Sequence, residues 1–237
     1  MTHNIEKRIN KLKKSGNPKF KNLDSDTHYL LKRFEGEKNH KGFYPKFKQG
    51  EIIFVDFGIN VNKEFSNSHF AIVMNKNDSN TEDILNVVPL SSKANKKYFK
   101  MNFDLKWEYL LRLFLNLISA QNNMTKLTED FNKKYSKNNI NFSSKSFISE
   151  FISDTLDVEN KLKEIDRNVS TIISAMDKIK KLKGNSYACV NSFQPISKFR
   201  IRKILPLKIK NPVIDPLDTM ILINRINNNI LQIPDIR

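Results

Sequence analysis

A chain of 237 residues with 39% hydrophobic and 10% aromatic side chains can bury a sizeable core, so a purely disordered polymer is excluded. The formal charge of +16 favours binding to polyanions through counterion release, and an excess of eight positive charges falls within the first 49 residues. A single cysteine, Cys189, excludes an internal disulfide, no Cys/His cluster has metal-site spacing, and no run approaches the ~18 apolar residues of a membrane helix, so a cytoplasmic protein without metal, cofactor or membrane span is expected.

In chain order, Asn4 to Lys14 sets Ile5, Ile9 and Leu12 at helical spacing among Lys and Arg, then stops at Ser15-Gly16-Asn17-Pro18, which predicts a short basic helix. Asp24 to Phe34 reads as a second helix with Tyr29, Leu30 and Leu31 on its apolar face, and Glu35 to Lys48 as a loop through Gly42 and Pro45. This basic arm, residues 1–49, has two readings. It is either a clamp for RNA or another anionic partner, or a solvated lead-in that packs Leu30 and Phe34 on a downstream sheet.

Gly50 to Lys93 carries the compact unit. Glu51 to Phe57 is an apolar, β-branched strand closed by Gly58 and the turn Asn60 to Asn62. Phe70 to Met74 and Ile84 to Leu90 are two further strands, joined by the polar tip Asn75 to Asp83, which together predict a small antiparallel sheet. The loop between the first two strands holds Lys63, Glu64, Phe65, Ser66 and His69, and the third strand ends at Ser91, Ser92 and Lys93. Strand ends therefore gather a carboxylate, an imidazole, hydroxyls and ammonium groups. Lys96, Lys97 and Lys100 come directly after and suit phosphate groups.

From Leu105 to Lys183 the pattern becomes helical. Trp107, Leu110, Leu111, Phe114, Leu117 and Ile118 fall on one face, Asn138, Asn139 and Asn141 mark a break, and Ser143 to Ile152 starts the return. Val158, Leu162, Ile165, Val169, Ile172, Met176 and Ile179 alternate four- and three-residue steps, a heptad seam. The expectation is a helical, coiled-coil-like insertion at 105–184, serving dimerisation, contact with an inhibitor, or internal packing only. Tyr187 to Phe193 and Phe199 to Ile209 read as strands, the latter with Arg200, Arg202 and Lys203 alternating against Ile201 and Ile204. Asp215-Pro216 is an N-cap with Pro at the first helical position of a last helix carrying Leu217, Met220, Ile221 and Ile223.

The Gly50-Glu51-Ile52 opening, Val55-Asp56-Phe57, the loop acid Glu64, Ala71-Ile72-Val73 and Val88-Pro89-Leu90-Ser91-Ser92 resemble the PemK/MazF toxin family. The segment SYACVNSFQPISKFRI at 186–201 is similar to the family's downstream strand pair. The resemblance implies an α+β fold: a small SH3-like antiparallel β-barrel, PemK/MazF/CcdB-like, split over 50–104 and 185–237, with an inserted helical hairpin and terminal helices. It also implies a homodimer held inactive by a cognate antitoxin, protein or RNA. The implied activity is metal-independent endoribonucleolytic cleavage of single-stranded RNA, leaving a 2′,3′-cyclic phosphate and a 5′-hydroxyl.

Carried over by position, the catalytic residues are His69, Ser91 and Glu64. His69 stands where the family usually has the Arg of an Arg-Pro pair, with Phe70 in place of the Pro. Arg stays charged, whereas His titrates near neutrality and can take or give a proton. Ser91 would hydrogen-bond the scissile phosphate, and Glu64 would act as base or orient His69. Lys63, Ser92, Lys93, Lys96 and Lys97 would hold phosphates and Phe65 would stack a base. Two other classes remain open from the sequence: a non-catalytic CcdB-like gyrase poison, and a basic RNA-binding module.

Overall fold

The computed structural model describes residues 2–21, 23–61, 64–136, 144–205 and 209–231. Lys63 and the expected helical break at Asn138, Asn139 and Asn141 lie outside them. The fold is α+β. In chain order come helices α1 (Thr2–Lys13) and α2 (Leu23–Lys38), then strands β1 (Ile52–Asp56), β2 (Ser68–Val73), β3 (Ile84–Ser91) and β4 (Phe99–Lys100). Helices α3 (Leu105–Lys134) and α4 (Lys145–Lys180) come next, then β5 (Tyr187–Ala188), β6 (Gln194–Ser197), β7 (Ile201–Arg202) and helix α5 (Pro216–Ile226). Contacts group the chain into two units. One holds 1–104, 184–204 and 211–237; the other holds 105–183 with 205–210.

The first unit is built on an antiparallel sheet of order β4-β5-β3-β2-β1-β7, with β6 also paired to β3. Strand alternation explains why these residues form it. Ile53, Val55 and Phe57 of β1 and its end, Ala71 and Val73 of β2, Leu85 and Val87 of β3 and Ile196 of β6 share one face with Phe47 as a single buried cluster. The intervening Ile52, Ile72, Val88 and Leu90 are buried as well. Burial of both faces is why the strands read as nearly continuous apolar runs.

The sheet is open, which corrects the expectation of a closed barrel. Its two end strands, β4 and β7, are two residues long and do not pair with one another among the described residues. Closure needs edge strands long enough to form a ladder, and here the downstream segment spends its residues on short helical turns instead. Tyr187 to Phe193, expected as one strand, is β5 followed by a 3₁₀ turn at Val190–Ser192. Phe199 to Ile209 is likewise a 3₁₀ turn at Lys198–Arg200 and then β7.

Two devices fix the sheet's margins. The polar tip between β2 and β3 is anchored by a buried ion pair: Lys198 Nζ donates to Asp78 Oδ1 at 2.7 Å and to the Ser79 carbonyl at 2.9 Å. Asp78 also accepts from the Phe47 amide at 2.8 Å. At the entry to β1, Gly50 has φ +79°, its amide donates to the Val73 carbonyl at 2.8 Å, and its carbonyl accepts from Ile214 at 3.0 Å. A Cβ there would lie 3.1 Å from Thr219 Oγ1 and 3.2 Å from Ile214 Cγ1. Gly50→Ala therefore meets both a left-handed backbone penalty of about 1–2 kcal/mol and crowding. The expected result is an unfolding free energy lower by at least that amount, read as a lowered urea midpoint at unchanged slope.

Asp215 caps α5 as expected, its carboxylate accepting from the Leu217 amide at 2.7 Å, and Leu222 and Ile226 are buried. Cys189 is fully buried, and burial pushes its thiol up to about 12, so it has almost no thiolate at neutral pH.

The second unit is an antiparallel helical pair. Lys134 at the end of α3 meets Glu150 at 2.7 Å and Asp154 at 2.5 Å near the start of α4, and Tyr135 packs edge-on against Phe151 at 4.8 Å. Along the heptad seam of α4, Val158, Leu162, Ile165, Val169 and Met176 are partly buried and Ile172 and Ile179 are buried, with Ala175 buried beside them. On α3 the expected face is corrected. Leu105, Tyr109 and Leu113 are the buried residues, while Trp107, Leu111, Phe114 and Ile118 are exposed. Apolar residues ring the first turns of α3 on all sides, so their spacing alone does not choose the inward face. Among the described residues, no helix is long and apolar enough to cross a membrane.

Candidate active site

The β1–β2 loop is closed by its own backbone. Asn67 bridges Phe57 and Gly58: the Phe57 amide donates to the Asn67 carbonyl at 3.0 Å, and the Asn67 amide to the Gly58 carbonyl at 2.7 Å. Asn60 ties the loop across its middle, its side-chain amide donating to the Phe65 carbonyl at 2.7 Å and the Phe57 carbonyl at 3.2 Å. A short polar side chain that bonds two carbonyls fixes a loop that has no ladder of its own. β2 begins at Ser68, two residues before the expected start, so His69 belongs to the strand and pairs with Val55.

The β2–β3 ladder pairs Ala71 with Pro89, Ile72 with Val88 and Val73 with Val87 and ends there; carrying its register on by two residues would set His69 across from Ser91. Both have the parity of Ala71, Val73, Leu85 and Val87, and so project to the face of the main core cluster, at its open end. His69 is half-buried. Burial lowers its pKa below the ordinary 6.5, against the pull of hydrogen bonds from the ring to the Leu90 and Ser66 backbone. The ring is therefore largely neutral at pH 7.

The other expected residues divide into those turned toward this corner and those occupied elsewhere. Phe65 packs edge-on against His69 at 4.5 Å and against Phe57 at 5.3 Å, as a satellite of the core. Glu64 is exposed, and its carboxylate accepts from the Val61 amide at 3.2 Å, closing the loop turn and not reaching His69. Ser91 Oγ accepts from the Lys93 amide at 3.0 Å and lies 3.2 Å from the Lys93 carbonyl. Ser92, Lys93, Lys96 and Lys97 are exposed on the segment leaving that strand.

Residues 48–112 match the model of the PemK-like, MazF-like toxin of type II toxin-antitoxin systems. Over this segment the chain is similar to the PemK/MazF toxin family. The matched segment holds β1 to β4, both members of the His69–Ser91 pair and the first turns of α3. No curated protein matches the chain.

One constellation in and around the PemK/MazF segment went unread in the sequence. Asp56, at the end of β1, is 2% exposed and binds the guanidinium groups of Arg33 from α2 and Arg202 from β7 through the same oxygen. Burial alone would raise its pKa, but Arg33, the Gly58 amide at 3.0 Å and Arg202 outweigh it and hold the carboxyl below its ordinary 3.8. Arg200 spans back to the Phe57 carbonyl at 2.8 Å. Alternation puts Asp56 on the opposite side of β1 from Val55, and hence on the opposite face from His69 and Ser91. The available signal was an acid inside an apolar strand, Val55-Asp56-Phe57, which demands a buried cation.

Proposed function

We propose that the chain is a toxin that cleaves single-stranded RNA by transesterification, with His69 and Ser91 at the reacting phosphate. The observation that supports this most directly is their shared strand parity, and so their shared face, at the end of the β2–β3 ladder inside the matched segment. The 2′-oxygen attacks phosphorus while neutral His69 accepts the 2′-hydroxyl proton. The bond from phosphorus to the 5′-oxygen breaks, leaving a 2′,3′-cyclic phosphate and a 5′-hydroxyl that takes its proton from solvent at this open strand end. Ser91 Oγ–H turns from the Lys93 carbonyl to a nonbridging phosphate oxygen, where one donor is worth most as charge builds.

In this reading Phe65 and Glu64 are positioning residues. Glu64 closes the turn that carries Phe65, and Phe65 holds the imidazole plane. Lys93, Lys96 and Lys97 attract the phosphates on either side, with Ser92 beside them and Lys63 as a further cation of the loop. The match to a type II toxin model supports a cognate antitoxin, a protein rather than an RNA in this reading, as the controlling partner, and two copies of the sheet would form the RNA groove in the cytoplasm.

The test is to incubate the purified chain with a long RNA in EDTA and map the ends. Cuts that persist and carry 2′,3′-cyclic phosphate support the proposal. RNA that is bound in a salt-sensitive way and never cut would overturn it and leave an RNA-binding module; a gyrase poison would show neither.

A further inference from the structure

On the face opposite His69 and Ser91, α2 and β7 enclose a groove of about 400 Å³, lined by Tyr29, Lys32, Arg33, Gly36, Phe199 and Arg202. Its chemistry is two-sided. Phe199 supplies an aromatic wall, its ring backed edge-on by His40 at 5.1 Å and Tyr44 at 5.7 Å. Tyr29 supplies another, already stacked by the Arg202 guanidinium at 4.2 Å. Gly36 leaves the floor open, since a Cβ at that position would only just touch the Phe199 ring at 3.9 Å.

The groove is also short of negative charge. Lys32, Arg33 and Arg202 line it, with the Arg200 charge close to Arg33, and they are answered by Asp56 and by Asp26. Asp56 spends a single oxygen on both Arg33 and Arg202, so each guanidinium keeps N–H donors that the carboxylate does not use. Arg200 shows the same crowding: burial and the Arg33 charge pull its pKa below the ordinary guanidinium value. Cations held together by a buried carboxylate, with aromatic rings beside them, suit a ligand with one anionic and one flat, stackable part.

We infer that this groove binds a phosphorylated nucleoside, its base on the Phe199 and Tyr29 side and its phosphate on Lys32, Arg33 and Arg202. The source is either a free nucleotide or one residue of an RNA strand. The inference does not rest on cleavage at the other face. It gives the basic arm a ligand of its own, with α2 contributing four of the six lining residues.

The full chain is titrated with AMP, with inorganic phosphate, and with a single-stranded oligoribonucleotide. Arg33 and Arg202 hold Asp56, so their loss endangers folding; Lys32→Ala and Gly36→Leu do not carry that risk. Gly36 lies inside α2 without a positive φ, so Leu gains helix propensity while filling the groove. Each variant is expected to weaken AMP binding about tenfold or more, the scale of one lost charged hydrogen bond, without lowering the melting temperature. His69→Ala and Ser91→Ala should leave AMP binding unchanged. If AMP fails but the oligoribonucleotide binds and both groove variants weaken it, the source is a strand and the inference stands. Unchanged affinities in both groove variants would overturn it, as would inorganic phosphate binding as tightly as AMP, since the rings would then contribute nothing.

Discussion

Replacing His69 by alanine is expected to slow RNA cleavage by about 10²–10⁴-fold, the range for loss of a positioned acid–base group. Ser91→Ala should cost a comparable or smaller factor of about 10²–10³, as for removal of one donor to a developing oxyanion. The pH profile separates the two. On the proposed mechanism the wild-type rate is expected to rise with pH as His69 loses its proton, and burial places that limb below pH 6.5. Ser91→Ala keeps the limb at a lower plateau. His69→Arg, which restores the residue type usual in the PemK/MazF family, has no group titrating there and should lose the limb even if some activity returns. A limb that persists in His69→Ala would remove the imidazole from the chemistry. The same shift acts on folding. The unfolded chain takes up the His69 proton first, near pH 6.5, so stability falls as pH drops from there toward the lower folded value.

The second large effect lies in the anchor of the polar tip. Lys198 and Asp78 have side chains 1% and 0% exposed, and the pair joins residues 120 apart in the chain. Removing one member leaves the other charge buried, with the Ser79 carbonyl or the Phe47 amide also losing a partner. Lys198→Ala or Asp78→Ala should therefore destabilise the protein by about 3–5 kcal/mol, or roughly 6–20 °C in Tm. Replacing both together, Lys198→Met with Asp78→Leu, removes the two desolvation costs at once and should lose clearly less than the sum of the single changes. Calorimetry on the four proteins decides it. A double variant as weak as the sum would show that the polar contacts to Ser79 and Phe47, and not the ion pair, hold the tip.

The local elements were legible because their signals are local. Asp215-Pro216 announces α5 by capping chemistry, and the heptad from Val158 to Ile179 names the inward edge of α4. Strand parity likewise makes the alignment of His69 with Ser91 readable once β2 and β3 are paired. What was not legible depends on partners distant in sequence. Whether Arg202 or Lys203 would meet an acid depended on α2 bringing Arg33 to Asp56, residues 23 apart with a loop between. Glu64 could serve His69 or its own turn, and spacing does not choose between them; the Val61 amide does. The inward face of α3 was misread because Trp107 to Ile118 offers apolar residues in every direction, and the closed barrel because two-residue strands leave no trace in a pattern of period two.

The Met101 amide donates to the Ser186 carbonyl at 2.9 Å, and Phe99 and Lys100 pair with Ala188 and Tyr187. The chain thus leaves the sheet and re-enters it at adjacent residues, as the two arms of an ordinary β-hairpin would. Everything from α3 to α4 stands where a turn of a few residues would serve the same two strands. Closure cost rises by only about 0.6 kcal/mol for each doubling of loop length, so the sheet is nearly indifferent to what is spliced there. Shortening the helical pair is therefore expected to leave the register of the sheet unchanged.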